Sequence, residues 1–166
     1  ASVSSSSHVF TLGWIHQMSP LITLSLRGGP RISRDNVAPE VEGSLARRFQ
    51  HGEIMFTYAR TQNIAVGKSG PVETESYLGA VSYQPLPRLT IRANPAYYIN
   101  DGEGSKTKVY RLDLNATYVI NLWLSVQASY RFSYEQESGR LRSSSSSGDR
   151  YRNVIFLELT IAPQYR

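Results

Sequence analysis

Cysteine is absent from the 166 residues, which removes disulfides, thiolate metal ligands and thiol chemistry together. Lysine is nearly absent, with Lys68, Lys106 and Lys108 alone. Charge of either sign is sparse at 19%, and 18 basic against 13 acidic side chains leave a formal excess of only +5. No stretch approaches the roughly 20 apolar residues of a membrane helix, because Ser, Thr, Gln, Asn or Arg interrupts the apolar runs at every second position. Ala1–Ser7 has neither the charged nor the apolar region of a signal peptide, as expected if an export signal has been removed or was never part of this sequence. Sustained helical spacing is missing as well.

What remains is a period of two, the spacing that sends successive side chains to opposite faces of a strand. Tyr110, Leu112, Leu114, Ala116, Tyr118 and Ile120 share one face, against Arg111, Asp113, Asn115 and Thr117. Leu124, Val126, Ala128, Tyr130 and Phe132 repeat the pattern against Ser125, Gln127, Ser129, Arg131 and Ser133. Asn121 and Leu122 between them have the length of a tight hairpin turn. The same reading predicts nine strands, near 8–18, 21–34, 38–50, 53–65, 74–85, 88–99, 107–120, 123–135 and 150–162. These are longer than the usual five or six residues.

The connections alternate. Short ones are expected at Ser19–Pro20, His51–Gly52, Pro85–Pro87 and Asn121–Leu122, and long ones at 35–38, 67–73, 100–106 and 137–150. An antiparallel meander with short turns at one end and long loops at the other has the asymmetry of an outer-membrane barrel. Three features point the apolar face at lipid. Aromatic residues flank it as interfacial girdles would: Trp14, Tyr77, Tyr83, Tyr110, Tyr118, Trp123, Tyr130 and Phe132. The lysines lie in or beside the long loops, whereas a soluble sheet places Lys along its solvent face and edges. Small residues (Gly43, Gly79, Ala93, Ala116, Ala128) interrupt the apolar face, which a close-packed core would resist. Aromatics favour any strand, so a soluble antiparallel barrel or sandwich binding a ligand or partner is the alternative.

On these units, with 155–161 as a further example, the sequence resembles Gram-negative outer-membrane β-barrels over nearly its whole length. Its Arg-rich polar phase, Ser-rich loops and the ending Asn153–Thr160 are similar to barrels linked to exopolysaccharide export. Such barrels commonly end in an aromatic residue, whereas here Arg166 follows Tyr165. The resemblance implies an all-β, antiparallel up-and-down transmembrane barrel in the bacterial outer membrane, in contact with lipid and lipopolysaccharide. The whole chain 1–166 is expected to be a single barrel segment, with 1–7 and 137–150 as flexible Ser-rich outer loops. Complete bacterial barrels have even strand numbers. Nine strands therefore predict part of a larger barrel, completed by preceding strands or by another chain.

With apolar groups on lipid, the polar phase lines the lumen: Arg27, Arg48, Arg92, Arg111 and Arg131 against Glu42, Asp113 and Glu158, among hydroxyls and amides too small to fill a volume. Fixed positive charge in a narrow passage concentrates anions. The expected function is an outer-membrane pore or exporter passing a hydrophilic, anionic solute or polysaccharide. The competing reading pairs these arginines with carboxylates on neighbouring strands, where they only stabilise the wall. A lipid-modifying outer-membrane enzyme is a minor alternative. His8, His16 and His51 are the only histidines, and no GxSxG, HExxH or phosphate-loop motif accompanies them. No catalytic residue, cofactor or metal is expected. Nor is nucleic acid, because the aromatics are not interleaved with the basic residues of Arg47–Arg48 or 140–152. Asn115–Thr117 fits a glycosylation sequon only by chance, lying mid-strand.

Overall fold

A computed structural model describes residues 7–33, 36–64, 71–102, 105–139 and 149–162. They form ten strands: β1 (Ser7–Val9), β2 (Leu12–Ser19), β3 (Ile22–Ser33), β4 (Asn36–Phe49), β5 (Gly52–Ile64), β6 (Pro71–Leu86), β7 (Leu89–Gly102), β8 (Ser105–Asn121), β9 (Leu124–Gly139) and β10 (Arg150–Ile161). From β2 onward each strand pairs antiparallel with the next in sequence. β1 and β2 both pair with β3 in one continuous register, so they are a single lane interrupted at Phe10 and Thr11. The interruption has a local cause. Pro30, opposite Phe10, has no N–H to donate, and a Cβ on Gly29 would come within 1.8 Å of the Phe10 carbonyl oxygen. Nine lanes result, as the alternation predicts, with the first one broken.

The long connections contract where strands run further than expected. Only 34–35 and 103–104 separate β3 from β4 and β7 from β8, and β9 runs on to Gly139. Residues 137–139, Arg150 and Ser7, expected in outer loops, belong to β9, β10 and β1. Lys106 and Lys108 likewise lie in β8. Hydrophobicity fades at these positions while ladder pairing continues, so apolar alternation alone ends the strands too early. The Ser143–Ser147 tract, Lys68, Tyr165 and Arg166 lie outside the described residues. The tight turns fall at Pro20–Leu21, Gln50–His51, Pro87–Arg88 and Leu122–Trp123, within a residue or two of the expected positions. Pro85 belongs to β6, and Trp123, expected in a strand-end girdle, is a turn residue.

The sheet is one layer. Among the described residues the only buried apolar side chain is Val72, at 7% exposure, whereas Leu157 is 78% exposed and Leu12 75%. A soluble sandwich or small barrel would remove one apolar face from water, and this sheet does not.

Its turns also step. From Trp14, Gly43, Tyr77 and Tyr110, which lie on one cross-strand row, the next tight turn begins six, seven, ten and twelve residues along the chain respectively. Six residues of stagger at about 3.3 Å, spread over six strand spacings of about 4.8 Å, correspond to strands tilted by about 35° from the axis that levels the turns. That is the tilt of a membrane barrel wall. The ten residue steps from Tyr110 to Ile120 then span about 27 Å of height, close to the roughly 25 Å apolar band of such walls.

Candidate functional site

Because directly paired residues share a face, the register assigns every described side chain to one side of the sheet. All eight charged residues expected in the lumen fall on the same face: Arg27, Arg48, Arg92, Arg111, Arg131, Glu42, Asp113 and Glu158. Trp14, Tyr77, Tyr83, Tyr110, Tyr118, Tyr130 and Phe132 fall on the other.

On the apolar side the aromatics are organised as a stripe. Tyr58, Tyr77, Tyr97, Tyr110, Tyr134 and Tyr151 occupy one cross-strand row of six strands. Consecutive rings lie with centroids 5.1, 6.0, 4.5, 5.8 and 4.7 Å apart. The row follows the hydrogen-bonding direction of tilted strands, so over five strand spacings it climbs about 14 Å relative to the plane of the turns. Tyr77 and Tyr110 therefore belong to a diagonal stripe and not to a level girdle. On its loop side the same face turns ionic: Arg60 pairs with Glu73 and lies 3.9 Å from Glu75, and Lys106 lies 3.7 Å from Asp101. Sequence reasoning missed Tyr58, Tyr134 and Tyr151 as members of this feature, because only the register aligns them.

The polar side separates its arginines into two sets. Arg27 sits opposite Glu42 at 3.8 Å, Arg48 opposite Glu53 at 3.0 Å, and Arg131 opposite Asp113, to which its Nε donates. Arg31, which the alternation also places here, approaches Glu40 at 3.2 Å and donates to the Gln62 carbonyl. Arg92 and Arg111, by contrast, have no ion pair or hydrogen-bond partner among the described residues. Nor has Arg152, which flanks Ser133 across from Arg111. Glu158 accepts from Thr160 Oγ1 at 3.5 Å. Many of the small polar groups are spent on each other: Ser25 with Ser44 at 3.0 Å, Asn115 Nδ2 donating to Ser129 at 2.9 Å, Thr74 donating to Asn100 at 2.9 Å.

One stretch of this face differs. The β6–β7 pairing lapses between Leu78↔Ala96 and Val81↔Ala93 and then resumes in the same register. Pro95 lies in the gap and lacks the ladder N–H. Its ring closes on Gly79, where an added Cβ would stand 2.8 Å from Pro95 Cγ. A hollow of about 260 Å³ opens here on the polar side, lined by Met55, Thr57, Leu78, Asn94, Tyr98 and Arg111 among others.

Histidine chemistry finds no constellation. His16 stacks on Trp14 at 5.2 Å on the apolar face, His8 lies in β1 and His51 in a turn. Among the described residues no cluster of His and carboxylates could hold a metal.

Comparison with known proteins follows the same line. Among solved structures, OmpT (in-vitro folded), an outer membrane protein of Vibrio cholerae, superposes with a TM-score of 0.57 at 11% identity, over 93% of this chain and 55% of that one. Such an identity shows the fold alone, and this chain spans little more than half the length of the structure it matches. No protein with a curated description matches. The family model described as KdgM, oligogalacturonate-specific porin protein, matches residues 68–166, the run from just before β6 to the last residue. That match covers more than half the sequence, and the tilted, single-layer sheet with its one apolar face is the wall such a protein requires. The chain belongs to the KdgM family of outer-membrane porins.

Proposed function

We propose that the chain forms the wall of a diffusion pore for acidic oligosaccharides of the galacturonate class, with its polar face toward the lumen. The observation that carries this reading is the pair Arg92 and Arg111, whose guanidinium groups form no ion pair with any carboxylate among the described residues and so remain available to a passing anion. In this reading Arg27, Arg48 and Arg131, held by Glu42, Glu53 and Asp113, fix the wall, and Glu158 bounds the passage near the turns. The apolar side, with Trp14, Tyr83, Tyr118, Tyr130 and Phe132, meets lipid, and the ionic loop-side strip meets lipopolysaccharide. A described edge at β2 and another at β10 each pair on one side only. Unpaired ladder groups cannot stay in hydrocarbon, so further strands or another chain complete the wall. Diffusion fits a porin family better than polymer export, and a channel fits it better than a lipid-modifying enzyme.

Reversal potentials in planar bilayers under a KCl gradient test the proposal. The wild-type protein should prefer chloride, and Arg92→Gln with Arg111→Gln should move the potential toward zero. Preference for potassium at neutral pH would overturn it.

A further inference from the structure

The hollow at the β6–β7 gap is not the kind of site that charge alone would select. Its floor gathers four apolar side chains, Met55, Leu78, Ala80 and Ala96, on a face that carries mostly hydroxyls, amides and charges, with Ile15, Val109, Val154 and Phe156 among its other apolar members. Around that floor stand Arg111, Asn94 and Thr57, none of which has a side-chain hydrogen-bond partner among the described residues, in contrast to the satisfied Ser, Asn and Thr pairs elsewhere on the face. Tyr98 closes the loop-side end, and the Asp113–Arg131 pair the other. The register explains the grouping. Arg111, Ala96, Leu78 and Thr57 share one cross-strand row, and Asn94 and Met55 lie on the next toward the turns.

A water-filled passage gains nothing from exposing methyl and thioether groups unless something apolar covers them. A pyranose does so, since its C–H face is apolar while its rim carries hydroxyls. We infer that this hollow is a saccharide subsite, binding one uronate ring with its carboxylate on Arg111, its hydroxyls on Asn94 and Thr57, and its C–H face on the Leu78–Met55–Ala96 floor. The inference rests on the anionic-pore reading above and adds to it a discrimination by shape: acidic sugar over open-chain anion of the same charge. Pro95 and Gly79 create the subsite, because the missing ladder bond and the close ring contact open the wall where the floor lies.

Current block in planar bilayers separates the two claims, using a galacturonate trimer and propane-1,2,3-tricarboxylate as probes. The trimer should block the wild-type pore at a several-fold lower concentration. Leu78→Asn, which makes the floor polar with the same number of side-chain heavy atoms, should weaken trimer block by about fivefold and bring the two probes together, as loss of roughly 1 kcal/mol of apolar cover implies. Arg111→Gln should weaken both probes by about tenfold, as loss of a charged hydrogen bond implies. Met55→Gln serves as the second floor variant should Leu78→Asn fail to insert. Equal block by trimer and tricarboxylate in the wild-type pore, or an unchanged ratio in the floor variants, overturns the subsite while leaving anion preference intact. A cation-selective reversal potential overturns the pore reading itself.

Discussion

At the scale of single residues, the tyrosine stripe separates local packing from bulk hydrophobicity. Tyr97 is stacked between Tyr77 at 6.0 Å and Tyr110 at 4.5 Å, whereas Tyr58 ends the row with one ring neighbour at 5.1 Å. Each aromatic pair contributes about 0.5–1.5 kcal/mol beyond the area it covers. Tyr97→Ala should therefore lower the unfolding free energy in phospholipid vesicles by about 1–3 kcal/mol, and Tyr58→Ala by about half as much. Tyr97→Phe keeps the stacking and should cost much less than Tyr97→Ala. Urea titration followed by tryptophan fluorescence of Trp14 and Trp123 measures all three. Equal losses at Tyr97 and Tyr58 would show that the rings act as independent lipid contacts and not as a stack.

At the scale of the element, β6 and β7 combine a rule and its exception. A proline inside a central strand normally argues against the strand, because it removes a ladder donor. Here Gly79 opposite Pro95 provides room for the ring, and the register is the same on both sides of the gap. Gly79→Ala places a methyl 2.8 Å from Pro95 Cγ. Such overpacking should cost about 1–3 kcal/mol and appear as a lower temperature of heat-modifiable gel migration. Pro95→Ala in the same chain should restore that temperature by removing the ring and returning the N–H, and by closing the gap it should also weaken trimer block. A Gly79→Ala protein as stable as wild type would mean that the two strands separate freely there.

Period two made the lanes legible from the sequence. Leu112, Leu114 and Ala116 against Arg111, Asp113 and Asn115 required no structure to be placed on opposite faces. Two things were not legible. The strand ends on the loop side were hidden because Lys106, Glu137 and Asn100 continue the ladder without an apolar partner to announce it. The stripe and the hollow were hidden because each gathers residues such as Tyr58 and Tyr151, or Thr57 and Arg111, from strands far apart in sequence. Register, not alternation, brings these together.

At the scale of the whole molecule, everything rests on which face meets acyl chains, and adjacent residues of β6 can decide it. Val81 lies on the apolar face in the row with Ile54, Ala93, Leu114, Tyr130 and Ile155, six residues before the turn at Pro87. With strands tilted by about 35°, that puts it about 16 Å above the turns, near the middle of the apolar band. Ser82, one residue on, points to the other side, between Glu53 and Arg92 in its row. A guanidinium at Val81 must sit in hydrocarbon or pull water and headgroups toward it, so Val81→Arg should destabilise the inserted protein by about 2–4 kcal/mol. Ser82→Arg adds the same group to a wet face, with Glu53 on one side offsetting Arg92 on the other, and should change stability by less than about 0.5 kcal/mol. The contrast is insensitive to strand propensity, because both substitutions put arginine into the same strand at nearly the same depth. If unfolding in vesicles showed the larger loss at Ser82, the faces would be reversed, the arginines would point at lipid, and the anion pore would have no lining.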